Sequence, residues 1–130
     1  MDKEEYNRLS RQILDASIAV HKEMGPGLLE SVYEFCLIRE LNYRNILVES
    51  EVFIPLYYKG ENIHKDFKID LLVEREIIIE LKAVEMILPV HEAQIISYLK
   101  LTNKKLGFLI NFNVLVLKEG FNRYVNKFYF

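Results

Sequence analysis

The sequence predicts an α/β fold in which a mixed central sheet is flanked by helices, and three features carry that expectation. Two stretches with apolar residues spaced by three and four open the chain, and three β-rich segments follow with only short turns between them. One further helical stretch then separates the third β segment from the next. Turns between strands make antiparallel neighbours, whereas a helical crossover makes parallel ones, so the sheet is mixed.

With 130 residues, 51% of them hydrophobic, the chain can bury a core as one domain over 1–130 without needing disulfides or a structural metal. The first helix runs from Asp2 to Met24, where Ile13, Leu14, Ser17, Ile18 and His21 share a face, and Gly25, Pro26 and Gly27 end it. A second helix from Leu28 to about Asn42 carries the stripe Leu29, Val32, Tyr33, Cys36, Leu37 and Leu41 and is expected to pack on the first.

Composition becomes strand-like after Asn45. The first strand ends at Tyr58, and Pro55, which cannot donate to a ladder, places it at an edge. Lys59, Gly60 and Glu61 make a turn, a second strand runs from about His64 to Glu74, and Arg75 and Glu76 turn the chain again. Ile77 to Ala83 is continuously apolar apart from Glu80 and Lys82, as for a central strand covered on both faces. Pro89 opens a third helix, Val90 to about Leu101. Lys104 to Asn111 reads as a buried strand and Val114 to Leu117 as a last short one. Phe35, Phe53, Phe67, Phe108 and Phe112 sit in apolar segments and are expected in the core. The aromatic run Phe121 to Phe130, with Arg123 and Lys127, has three open fates: a docked strand, a subunit contact or a nucleic-acid contact.

The informative feature is charge where the pattern demands apolar residues. Period two puts Glu80 and Lys82 on one face of the third strand with Ile78, and Asp70 on one face of the second with Lys68 and Leu72, opposite Ile69, Leu71 and Val73. A regular hairpin through Arg75 brings Asp70 opposite Glu80. Two carboxylates so placed repel unless a cation compensates them; Mg²⁺, with its preference for oxygen ligands, suits such a pair, and Lys82 could then stabilise charge developing on a phosphate. The same spacing also fits an ordinary salt-bridge cluster on a solvated sheet face. Gln94 and Tyr98 lie one helical turn apart, as do Glu30 and Tyr33 on the second helix.

The run Gly27 to Tyr33, with Glu30 three residues after Gly27 and Tyr33 three after Glu30, resembles the signature of the GxxExxY protein family, a branch of the PD-(D/E)xK nuclease superfamily with a restriction-endonuclease-like fold. Asp70 followed by Glu80, Leu81 and Lys82 is similar to that superfamily's acidic residue, spacer and (D/E)xK motif. Gln94 and Tyr98 resemble the helical motif of its RecB-like members, and Lys105 to Phe112 looks like its fourth strand. Ile69 stands where the superfamily's name places proline.

The resemblance implies a three-layer αβββαβ core in which Asp70 and Glu80, with Leu81 between the motif's acid and lysine, form the metal set for Mg²⁺ or Mn²⁺. It further implies that Lys82 assists the attacking water, that Glu30 adds an acid, and that Gln94 and Tyr98 line the site. The expected activity is hydrolysis of phosphodiester bonds in DNA, as an endo- or exodeoxyribonuclease; the alternative is a noncatalytic module that keeps the fold and binds nucleic acid or protein. Tyr33, His91, Lys100 and Lys104 are candidate pocket or phosphate contacts, with Lys105, Lys118 and Arg123 as further basic positions.

Seventeen basic against nineteen acidic residues give a net charge of -2, so no global field draws in a polyanion, and phosphate contact must come from a local basic face. A homodimer would add such contacts. Three histidines without ligand spacing give no zinc site, and the Gly25 to Gly27 loop lacks a P-loop lysine. With one cysteine, a charged N-terminus and no apolar run of ~18 residues, the expected setting is the cytoplasm, away from membranes.

Overall fold

The structure, a computed structural model, describes residues 1–126. Its elements are α1 (Lys3–Met24), α2 (Glu30–Tyr43), β1 (Val48–Tyr58), β2 (Glu61–Val73), β3 (Ile77–Lys82), α3 (Pro89–Thr102), β4 (Leu106–Asn111), a 3-10 turn (Leu117–Gly120) and β5 (Phe121–Val125). The strands lie in sequence order in one five-stranded sheet with β3 at its centre. β1, β2 and β3 are antiparallel neighbours, β3 and β4 are parallel, and β5 returns antiparallel to β4. This is the mixed α/β architecture of a restriction-endonuclease-like core, with the crossover α3 producing the one parallel pair.

Each face of the sheet buries its own cluster. Leu71, Val73, Ile77, Ile79, Leu81, Phe108 and Ile110 pack against Leu9, Ile13 and Val20 of α1 and Tyr33, Leu37 and Leu41 of α2. Ile69, Leu72, Ile78 and Leu109 pack against Ile95 and Leu99 of α3. β3 therefore alternates between two apolar layers, which is why its sequence reads as nearly continuous hydrophobe.

Local geometry sharpens the ends. Asp2 accepts from Glu5 N at 2.9 Å and caps α1, while Gly25 (φ 71°) and Gly27 (φ 91°) take left-handed conformations in the loop to α2. The three-residue β2–β3 connection, 74–76, places both Glu74 (φ 50°) and Arg75 (φ 58°) in the left-handed region, and Glu76 N–H closes the turn by donating to Val73 O at 2.9 Å, although neither left-handed residue is glycine.

Several expectations need correction. Val114 to Leu117 is no strand: Leu115 is 88% exposed, and the apolar, β-branched run that suggested pairing enters a 3-10 turn instead. The last strand is Phe121–Val125, so the first half of the aromatic run docks on β4, while Lys127 to Phe130 lie outside the described residues. Phe35 and Phe53 are 60% and 63% exposed, and Leu29 is exposed just ahead of α2. Ile69 does not share a face with Leu71 and Val73. It packs on the α3 side because side-chain alternation slips at Asp70, where Glu51 of β1 sits at φ 53°.

Candidate functional site

Asp70 interrupts strand pairing on both sides. Toward β1, the pairs Ser50–Leu71 and Val52–Ile69 flank an unpaired Glu51 and Asp70; toward β3, the ladder stops at Leu71–Ile79. In place of the next backbone pair, Asp70 N–H donates to Glu80 Oε2 at 2.8 Å, and Leu81 N–H donates to Asp70 Oδ2 at 2.9 Å. The two carboxylates thus fill the opening between β2 and β3. Each uses one oxygen to hold the opposite strand, which leaves each a second oxygen for another partner. Leu81 brings only its backbone here, because its side chain is in the α1/α2 core.

Two more acids converge from other elements. Glu34, one helical turn after Glu30 on α2, Glu51 and Asp70 each place a ligand-type oxygen within 4.8 Å of one another. Glu34 Oε1 is buried without a hydrogen-bond partner among the described residues. Glu51 turns toward this group from a left-handed backbone, a conformation that costs a non-glycine residue about 1 kcal/mol or more. It is also bridged by Lys68 Nζ at 2.9 Å.

The electrostatics follow from burial and crowding. Glu80, 4% exposed, is pushed up to about 8, first by loss of water and then by the charge of Asp70; the Asp70 N–H and Lys82 pull the other way. Glu34 is pushed up to about 7 by burial and then by Glu51 beside it. Burial also raises Asp70, against the Leu81 N–H and the charges of Lys68 and Lys82. Glu30 is raised by burial and by Asp70, with Lys82 and Lys68 opposing, so it belongs to the same field. Tyr98 is raised by burial and then by Glu80 and Asp70, and its ring stacks on Phe67 with centroids 4.4 Å apart.

The predicted residues therefore divide. Asp70 and Glu80 meet at the β2–β3 opening, and Glu30, Lys82 and Tyr98 lie within range of their charges. Gln94 is exposed one turn before Tyr98, and Lys100 is exposed in the last turn of α3. Tyr33 is not a pocket residue. It is fully buried, stacked on Phe112 at 4.6 Å, and its hydroxyl donates to Gly25 O at 2.6 Å and accepts from Leu28 N at 3.1 Å. It fixes the loop that delivers Glu30. Lys104 is not a site residue either: its Nζ donates to Arg75 O at 2.8 Å, in the turn beyond the start of β3, which itself lies ~10 Å along the strand from Glu80. His91 uses Nδ1 to accept from Leu88 N at 3.0 Å and so closes the start of α3.

Glu34 and Glu51 were not foreseen. Their signals are the four-residue step from Glu30 to Glu34 on one helix face and the register that sets Glu51 opposite Asp70, the second of which needs the strand pairing to be known. Among the described residues no helix is long and apolar enough to cross a membrane. Residues 7–124 match the PD-(D/E)XK nuclease superfamily. No curated protein and no solved structure matches the chain.

Proposed function

The chain belongs to the PD-(D/E)XK nuclease superfamily, and from that premise we propose that it hydrolyses phosphodiester bonds in DNA, using Mg²⁺ or Mn²⁺ held by Asp70 and Glu80 together with the backbone of Leu81. The observation that carries this reading is the double interruption of pairing at Asp70, which opens the sheet at the one place where its acids face each other.

The donors suit the cation. Besides facing Glu80, Asp70 belongs to a second group with Glu34 and Glu51, whose hard carboxylate oxygens lie within 4.8 Å of one another and which does not include Glu80; Glu34 Oε1 there is buried without a hydrogen-bond partner among the described residues. Mg²⁺ and Mn²⁺ are the ions such oxygen sets favour. When bound, the cation would lower the pKa of a water and offset charge on the phosphate.

The chain's own groups do the rest. Asp70 and Glu80 are held by the backbone of the facing strand, so their free oxygens are fixed before any ligand arrives. Lys82 lies on the Glu80 face at the end of β3, where an ammonium stabilises negative charge growing on a phosphate. Tyr98 is held against Phe67 within range of the charge of Glu80. Glu30 adds a carboxylate from the first residue of α2, delivered by the Gly25–Leu28 loop that Tyr33 ties down. That use of Gly27, Glu30 and Tyr33 supports placement in the GxxExxY branch.

Calorimetric titration with Mn²⁺ tests the metal set. Wild type should bind and Asp70→Ala should not. An unchanged isotherm removes Asp70 from the ligands, and no binding by wild type favours the noncatalytic alternative.

A further inference from the structure

The β1–β2 hairpin outgrows the sheet. β2 pairs with β3 only from Leu71 to Val73, so from Glu51 to Asp70 the two strands form a ribbon paired with each other alone. From Glu51 to its tip this ribbon is about 25 Å long, at ~3.3 Å per residue. One face is apolar and anchored: Val52, Ile54, Phe67 and Ile69 lie on the α3-side cluster, and Phe67 stacks on Tyr98. A free hairpin of this kind is marginal in water, so the anchoring defines which face stays outside.

The outer face is unlike an ordinary solvated strand. Phe53 is 63% exposed and Tyr57, on the same parity of β1, 60%. Phe53 lies directly across from Lys68. Lys68 and Asp66 share this face with Phe53 and Pro55, so a lysine stands beside the exposed ring at the end nearer Asp70. The face is also continuous with the proposed catalytic group, because Lys68 bridges Glu51 and its charge is felt at Asp70, Glu30 and Glu34.

We propose that this outer face is a track for single-stranded DNA, on which unpaired bases stack against Phe53 and Tyr57 while Lys68 takes the phosphate next to the one at Asp70. This rests on the nuclease reading and narrows its substrate to DNA with an unpaired stretch at the site. Exposed aromatic rings beside a lysine match the stacking-plus-phosphate chemistry by which proteins hold single strands without reading sequence. A protein partner would be served by the aromatics alone, whereas the Phe53–Lys68 pairing beside the carboxylates suits bases linked to phosphates.

The test is binding, not cleavage. Fluorescein-labelled oligothymidylate and its duplex with oligodeoxyadenylate are titrated by anisotropy in Ca²⁺ over a range of salt. The single strand should bind more tightly to wild type. The double variant Phe53→Ala, Tyr57→Ala should lose about tenfold or more on the single strand and much less on the duplex. Lys68→Ala should flatten the slope of log Kd against log salt by about 0.7, one phosphate contact on a single strand. Circular dichroism and Tm confirm folding, and Phe53→Leu, which keeps bulk without a ring, repeats the test should the double variant unfold. Binding by these variants equal to wild type overturns the track, as does equal wild-type affinity for duplex, or no binding at all. Cleavage retained alongside unaltered variant binding overturns the track and leaves the nuclease reading standing.

Discussion

Asp70 and Glu80 clasp each other's strands: the N–H of Asp70 binds the Glu80 carboxylate, and the Asp70 carboxylate binds the N–H of Leu81, beside Glu80. The acids that repel each other therefore also close the gap their presence opens, and structure and chemistry can be separated by choice of substitution. Glu80→Gln keeps an acceptor for Asp70 N–H and removes the buried group that can ionise, so metal-free stability should hold, and rise at pH above about 8. Glu80→Ala leaves that N–H unpaired and should cost about 1–3 kcal/mol. Urea denaturation in EDTA distinguishes them, and both should lose cleavage. Equal stability of the two variants would contradict the clasp.

The raised acids set a pH dependence. Glu80 (about 8) and Glu34 (about 7) hold protons in the fold that the unfolded chain, at about 4.5, gives up. Their contribution to metal-free stability is complete below about 4.5 and is lost as pH rises through 7 to 8, so Tm in EDTA should fall over that range. Metal must displace the same protons, so Mn²⁺ affinity should climb from pH 6 to pH 8.5, with proton release measurable from the buffer dependence of the binding enthalpy. A pH-independent affinity would show that these groups are not ligands.

Tyr33→Phe keeps the stack on Phe112 and deletes the hydroxyl that joins Gly25 O to Leu28 N. A loss of about 1–2 kcal/mol is expected in thermal denaturation. Cleavage should drop further than stability explains, since the loop that presents Glu30 is released. Full activity would place Glu30 outside the mechanism.

Gly120 packs against the backbone of Asn111, whose side chain holds Val84 N and O and Asn113 N beyond the end of β3. A Cβ there would run into Asn111 O, so Gly120→Ala should destabilise by about 1–3 kcal/mol, read by chemical denaturation. An unchanged midpoint would mean that the turn before β5 yields freely.

What the sequence made legible was whatever depends on local period. Ile77 to Lys82 alternates its charges onto one face, and the count through the Arg75 turn places Asp70 opposite Glu80, which the register of the ladder preserves. The helix between β3 and β4 dictates their parallel pairing. Illegible features depend on partners distant in sequence or on backbone irregularity. The slip at Asp70, opposite the left-handed Glu51, moves Ile69 to the other layer. Glu34 reads as surface charge until the sheet opening is set beside it. Phe53 and Leu115 are hydrophobes in apolar runs, yet both are exposed, because one lies on a ribbon face without a covering layer and the other in a turn.

The central claim meets its most direct test in DNA cleavage with Mg²⁺ or Mn²⁺ by wild type and Lys82→Ala, on single-stranded, duplex and branched substrates. The account predicts metal-dependent cleavage by wild type on at least one of these and its loss in the variant, with fold and Mn²⁺ binding retained. Absence of wild-type cleavage on all three, or undiminished cleavage by Lys82→Ala, would contradict it.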